Sequence, residues 1–225
     1  MDPFEYKLLP LDDLYIRTIL LLPAAELDEP VECVLQHCFY DDNGKLRLQG
    51  EDGGLPGNII KPYQALSYVW GAASNTTTIS VDGKALSVTV NLGIALKYLR
   101  SKDKACHLWI DAICIDQNNL QDRGHQVQRM RGIYERAKAV VVWFGVEFDY
   151  LSGYLDGTEC WKNKENWTCE LVLANSWFQR IWVRSHGLLP GADVNHFQHR
   201  SSKKWLLQRR WLFNKDSHAF QQGRS

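Results

Sequence analysis

Two stretches of almost unbroken apolar residues, Leu108 to Asp116 and Ala139 to Phe144, bracket a segment of different rhythm. Each has strand length, and a run apolar on both faces is the pattern of a fully buried strand. Between them Val127, Met130, Ile133, Tyr134 and Ala137 recur at steps of three and four. Arg123, Gln126, Arg129, Arg131, Glu135 and Arg136 fall largely between. That spacing predicts one apolar stripe and one solvated face on a helix over 119–137. Asn119 is placed to cap it, with Asp122 in its first turn. Strand, helix, strand in this order predicts a right-handed crossover with its two strands parallel.

The same reading applied upstream gives strands at 16–22, ended by Pro23, and at 31–37. Residues 1–13 read as a loose leader, and 40–58 as a long loop or hairpin tip turning at Asp41-Asp42-Asn43-Gly44. The carboxylates of that loop lack the spacing of a calcium loop, and the closing Glu is missing. Tyr63 to Gly71 is another buried strand. Ile79–Val81 and Leu86–Val88 flank Asp82-Gly83, a strong two-residue hairpin signal. Asn91 then opens a helix over 91–101 with Leu92, Ala95, Leu96 and Leu99 on one face, and with Arg100 and Lys102 near its negative end. The expected fold is an α/β domain with a mostly parallel central sheet flanked by helices. Past Gly145 the pattern weakens, with a helix over 167–175 and a final element at Phe178–Val183.

Composition changes this picture at one place. The 225 residues hold 26 Lys and Arg against 26 Asp and Glu, so global charge points neither to nucleic acid nor to an anionic membrane. Residues 184–225, however, carry eight basic residues, two acidic ones and four of the seven histidines. Periodicity stops there, and the segment reads as an ill-ordered tail. Its Trp205 and Trp211 sit among basic residues, yet stacking on single-stranded nucleic acid needs a platform that holds the rings. The six cysteines form no CxxC pair, and Cys114 falls inside an apolar run, as in a reduced intracellular protein. The acidic amino terminus has neither signal-peptide nor transit-peptide character. Ile19 to Leu22 is far too short to span a bilayer.

If the strands at 65–70, 108–115 and 139–144 are parallel neighbours, their carboxyl ends share the edge where open α/β sheets bind ligands. Trp70, Gly71, Asp116, Gln117 and Gly145 would gather there, near the amino end of the 119–137 helix, or the glycines would simply make turns. Asp111, inside an apolar run, needs a partner, for which Arg123, Arg129 and Arg180 are available. It reads either as half of a structural ion pair or as a cleft carboxylate of altered pKa. No phosphate-binding glycine loop, zinc-ligand cluster, HExxH or GxSxG elbow is present, so no cofactor and no metal are expected. Cys114 with His107 or His125 reads as a core thiol beside surface histidines before it reads as a nucleophile and base.

Five blocks in order, Tyr63-Gln-Ala-Leu-Ser-Tyr-Val-Trp-Gly71, Val88 to Arg100, Leu108 to Gln117, Gln126 to Tyr134 and Val140 to Gly145, resemble the fungal heterokaryon incompatibility (HET) domain. The resemblance runs from Tyr63 to Val183, preceded by a lead-in at 1–62. It implies a cytoplasmic protein of non-self recognition that triggers cell death through self-association or protein partners, without catalysis. It also implies a TIR-like or flavodoxin-like three-layer fold. Some TIR proteins cleave NAD, so the alternatives are an NAD glycohydrolase using Asp116 or Asp122 near the ribose, with NAD as substrate only, and an inert truncated fragment. Two departures stand out. Asp116-Gln117 and Asp122 replace the family's Asn-Gln and first-turn Glu. The block Trp177 to Val183 runs into Arg184-Ser-His-Gly where a Gln-Glu pair is usual, which predicts a shifted frame or an unspliced intron and a domain cut short.

Overall fold

The computed structural model describes residues 1–50, 57–146 and two short strands further on. Its elements are β1 (Tyr15–Leu21), β2 (Glu32–Tyr40), β3 (Leu46–Leu48), β4 (Gln64–Tyr68), β5 (Thr76–Val81), β6 (Lys84–Thr89), α1 (Val90–Leu99), β7 (Cys106–Trp109), α2 (Asp111–Cys114), α3 (Leu120–Arg136) and β8 (Ala139–Trp143). Phe197–Arg200 and Lys204–Leu207, β9 and β10, form a separate antiparallel pair. The expected elements at 167–175 and 178–183, and Arg180, lie outside the described residues, as does most of the expected tail.

Eight strands form one sheet in the order β6-β5-β2-β1-β7-β4-β8, with β3 added on β2. The expectation of a mostly parallel sheet is corrected here: the sheet is mixed. β4 pairs parallel with both β7 and β8, and β2 with β5, whereas β1–β2, β1–β7, β2–β3 and β5–β6 are antiparallel. The reason is the lead-in. β1 and β2 are consecutive strands that pair with one another and then insert between the β5–β6 hairpin and the parallel trio. A hairpin inserted in this way brings reversed neighbours with it. The proposition that three apolar segments run side by side in one direction holds, with β4 between the other two.

Local chemistry explains most boundaries. Asp82 and Gly83 both have positive φ, 51° and 74°, as a two-residue hairpin turn of the favoured hand requires. Asn119 caps α3, its side chain accepting from the amides of Gln121 and Asp122 at 3.0 and 3.1 Å. α1 departs from expectation. Its cap position is Thr89, and the Asn91 side chain is used elsewhere. Nor does Arg100 serve the end of α1. Its nearly buried guanidinium donates to the carbonyls of Glu26, Leu27, Glu29 and Pro30.

The central apolar run is not one long strand. β7 stops at Trp109, and Asp111–Cys114 turns into a single helical turn closed by Cys114 N on Ile110 O at 2.7 Å. An apolar run of this length carries no period that separates strand from buried helix. α3 is also rotated, by about 60° at 100° per residue, from the stripe that its apolar residues predict. Asp122, Gln126 and Ile133 are its buried positions, and Val127 is half exposed. Polar bonds to the lead-in set this orientation: Arg17 to Asp122, Gln126 and Arg129 to the Tyr15 carbonyl, and Arg129 to the Asp13 carbonyl.

The leader is held rather than loose. Asp2 and Phe4 bond to Ala85 on the outer edge of β6, Tyr6 donates from its hydroxyl to Ile113 O at 2.9 Å, and Leu9 is buried. Around this sheet one continuous core runs from Ile16 and Ile19 through Leu66, Tyr68 and Trp109 to Leu92, Leu96 and Ile133.

Candidate functional site

The three parallel strands end on one edge, and the chain leaves each of them by a turn. After β4 come Val69, Trp70 and Gly71, and after β8 come Phe144 and Gly145. Gly71 has φ 78° and Gly145 φ 108°, conformations in which a side chain would be strained. Asn91, in the first turn of α1, ties the turn after β4 to the end of β8. Its amide donates to Val69 O at 2.5 Å, and its oxygen accepts from the indole of Trp143 at 3.0 Å.

The result is a cleft of about 260 Å³ lined by Trp70, Gly71, Asn75, Asn91, Ile94 and Gly145, with Ala72, Thr89, Val90 and Val146 completing its wall. Trp70 is 39% exposed, so its ring offers a face to an incoming group while its nitrogen is anchored. The anchor is Asp111, only 5% exposed, which accepts from Trp70 Nε1 at 3.1 Å and from Ala112 N at 2.8 Å. Gln117 in turn donates to the backbone oxygens of Asp111 and Ile115 at 2.9 and 3.4 Å. Of the expected site residues, Trp70, Gly71 and Gly145 therefore line the cleft, Asp111 fixes Trp70 from behind, and Gln117 fixes the turn that carries Asp111.

Asp116 and Asp122 do not line it. Asp122 forms a buried ion pair with Arg17, 2.7 Å apart, with side chains 7% and 2% exposed. The same oxygen accepts from Asp116 N at 2.9 Å, and the Asp116 carboxylate accepts from Asn118 N. Both carboxylates are spent on local architecture beneath α3. Of the expected cationic partners of Asp111, two are engaged otherwise, Arg123 with Gln117 O and Arg129 with the 12–15 carbonyls, and Arg180 lies outside the described residues. The helix end at the cleft is that of α1 rather than α3. Asn91, Thr89 and Ile94 were not legible as site residues, because nothing in the sequence shows that the amino end of α1 faces the β4 and β8 turns.

Among the described residues no charged side chain lines the cleft, which suits a planar or weakly polar group held against an indole and a helix amino end. Thr89 Oγ1 is buried in its wall without a hydrogen-bond partner. The Cys114 thiol is pushed far up by burial and accepts only from Ile110 N. His107 instead contacts Lys61 O and Thr18 Oγ1, and His125 contacts Asp13. No group of three or more His, Cys, Asp or Glu side chains suited to a metal occurs among the described residues. No helix among them is long and apolar enough to cross a membrane.

An α/β domain with a mixed sheet and a cleft on its parallel edge is the class this geometry defines. Residues 63–155 match the model of the heterokaryon incompatibility protein (HET) family, so the chain carries a HET domain over that segment. It is 33% identical over 168 residues to heterokaryon incompatibility protein 6, OR allele, of Neurospora crassa. That match covers 68% of this chain but only 22% of the Neurospora protein. No solved structure matches the chain significantly.

Proposed function

We propose that the chain acts in fungal vegetative incompatibility, as a cytoplasmic effector that promotes programmed cell death through regulated self-association or contact with a protein partner. The HET match over 63–155 carries this reading, and the Neurospora relative supports it. In it the cleft is a recognition element whose shape depends on Trp70, Asn91 and the Asp111 anchor. Induced expression in a filamentous fungus tests it. Growth arrest and vital-dye uptake are expected, weakened by Trp70→Ala and by Asn91→Ala. Unimpaired growth with soluble, folded protein present overturns it.

A TIR-like NAD glycohydrolase is the second reading, supported by the half-exposed indole at the carboxyl edge of parallel strands. With Asp116 and Asp122 outside the cleft, Asp111, bonded to the cleft residue Trp70, is the candidate carboxylate among the described residues. Purified protein incubated with NAD would release nicotinamide, and Asp111→Asn would abolish release. No turnover alongside intact cell death removes this second reading and leaves the first.

A further inference from the structure

The loop from Leu22 to Val31 is acidic and held in a fixed shape. Glu26, Asp28, Glu29 and, at the start of β2, Glu32 are exposed, and none forms an ion pair among the described residues. Leu27 projects among them, 47% exposed. Beneath them the Arg100 guanidinium gathers the carbonyls of Glu26, Leu27, Glu29 and Pro30 at 2.8 to 2.9 Å, and Glu29 accepts from Glu26 N at 2.7 Å. Burying a guanidinium against backbone oxygens is costly, and what it secures here is the path of a loop that presents Leu27 between the exposed acidic residues Glu26 and Asp28.

At the opposite end of β1 the outward face of α3 has the complementary character. Leu120, Arg123, Gly124, Val127 and Arg131 fall within about 100° of one another at 100° per residue. Leu120 is 72% and Val127 52% exposed, so two apolar side chains stand flanked by two arginines. The Arg123 guanidinium contacts only the Gln117 carbonyl among the described residues, while Arg131 shares its charge with Glu135. Polar bonds to the lead-in, not apolar packing, turned this face outward.

We infer that the acidic loop of one copy docks on the α3 face of a second copy, with Leu27 seated between Leu120 and Val127. β1, about 20 Å long, leads from the Tyr15 end that holds α3 to the acidic loop that follows Leu21. The two patches are different surfaces, so the contact is head-to-tail, and repetition gives a ring or an open chain rather than a closed dimer. The inference deepens the self-association element of the proposed function and rests on it only for its biological use. The association itself is a property of the protein in solution.

Sedimentation velocity of the full chain, across a concentration series at low and at high salt, tests it. Mass is expected to rise with concentration at low salt and to fall back when salt screens the contact. Glu26→Lys with Asp28→Lys, or Arg123→Glu with Arg131→Glu, should each weaken self-association by on the order of tenfold or more. The two variants mixed in equal amounts should assemble again, because every loop then meets a helix face of opposite sign. A wild type that stays monomeric overturns the proposal. So does assembly that neither reversal changes, or a mixture that fails to assemble. Fungal growth arrest by a strictly monomeric protein would refute the docking while leaving the incompatibility reading standing.

Discussion

The two halves of the sheet are built on different terms. The half formed by β7, β4 and β8 is parallel, each strand reached by a long connection, and the turns after β4 and β8 open together onto the cleft. The half formed by β6, β5, β2 and β1 is mostly antiparallel, with β1–β2 and β5–β6 pairing near neighbours in sequence, and the described cleft lining includes only the end of β6 from it. The parallel half carries the site because only there do several turns leave one edge in the same direction. The antiparallel half supplies the frame. β1 and β2 precede the residues matched by the HET family, yet they sit between β5 and β7, both of which lie within the match. Without them, the two parts of the matched segment share no strand pairing.

That dependence gives the largest expected effect. A chain beginning at Tyr63 should lose cooperative unfolding altogether, as read by urea denaturation followed by circular dichroism. A sharp transition from it would show the parallel half to be self-sufficient and break the comparison. Next in size is the ion pair that joins the frame to the α3 end. Asp122→Ala leaves the Arg17 charge buried without its partner, at an expected cost of about 3–5 kcal/mol. Replacing both residues, Arg17→Met with Asp122→Leu, should recover most of that, which equilibrium denaturation of the three variants would measure.

Smaller still is the link between the turn after β4 and the end of β8. Asn91→Ala removes bonds to Val69 O and the Trp143 indole, an expected loss of about 1–3 kcal/mol. Trp70 fluorescence should shift with it while the Arg17–Asp122 pair is undisturbed, so its effect should add to that of Asp122→Ala. Strong coupling between the two would argue against separate halves.

The smallest effect is a pH dependence confined to the frame and its seam. Burial holds His107 below its ordinary pKa of 6.5, with its bond to Lys61 O acting the other way. His37 is lowered by burial and then by the neighbouring Arg17. A depressed histidine means that the unfolded chain binds more protons than the folded one below that value. Stability should be fully present above about pH 6.5 and decline as pH falls beneath it. His107→Gln should flatten that slope in a series of melting temperatures, and an unchanged slope would place the titration elsewhere.

Several features were legible in the residues because they are local. The Asp82-Gly83 hairpin, the Asn119 cap and the apolar strands at β4 and β8 each follow from a few adjacent side chains. So did the cleft residues Trp70, Gly71 and Gly145, since parallel buried strands imply a shared edge. Asp111 reads in the sequence as a buried carboxylate in need of a partner, and one partner among the described residues is an indole from the turn after β4. Asn91 looked like a helix cap and serves as a bridge from that turn to the end of β8.

The amino-acid order by itself determined most of the strands and helices, with β3 and α2 the exceptions, and that three strands run together, because period and turn chemistry act over a few residues. Only the tertiary structure decided that the lead-in wedges into the sheet and makes it mixed, that α3 turns its arginines and Val127 outward, and that Asp116 and Asp122 lie outside the cleft. Those outcomes depend on which distant groups satisfy buried charges such as Arg17 and Arg100. No local pattern encodes a partner one hundred residues away.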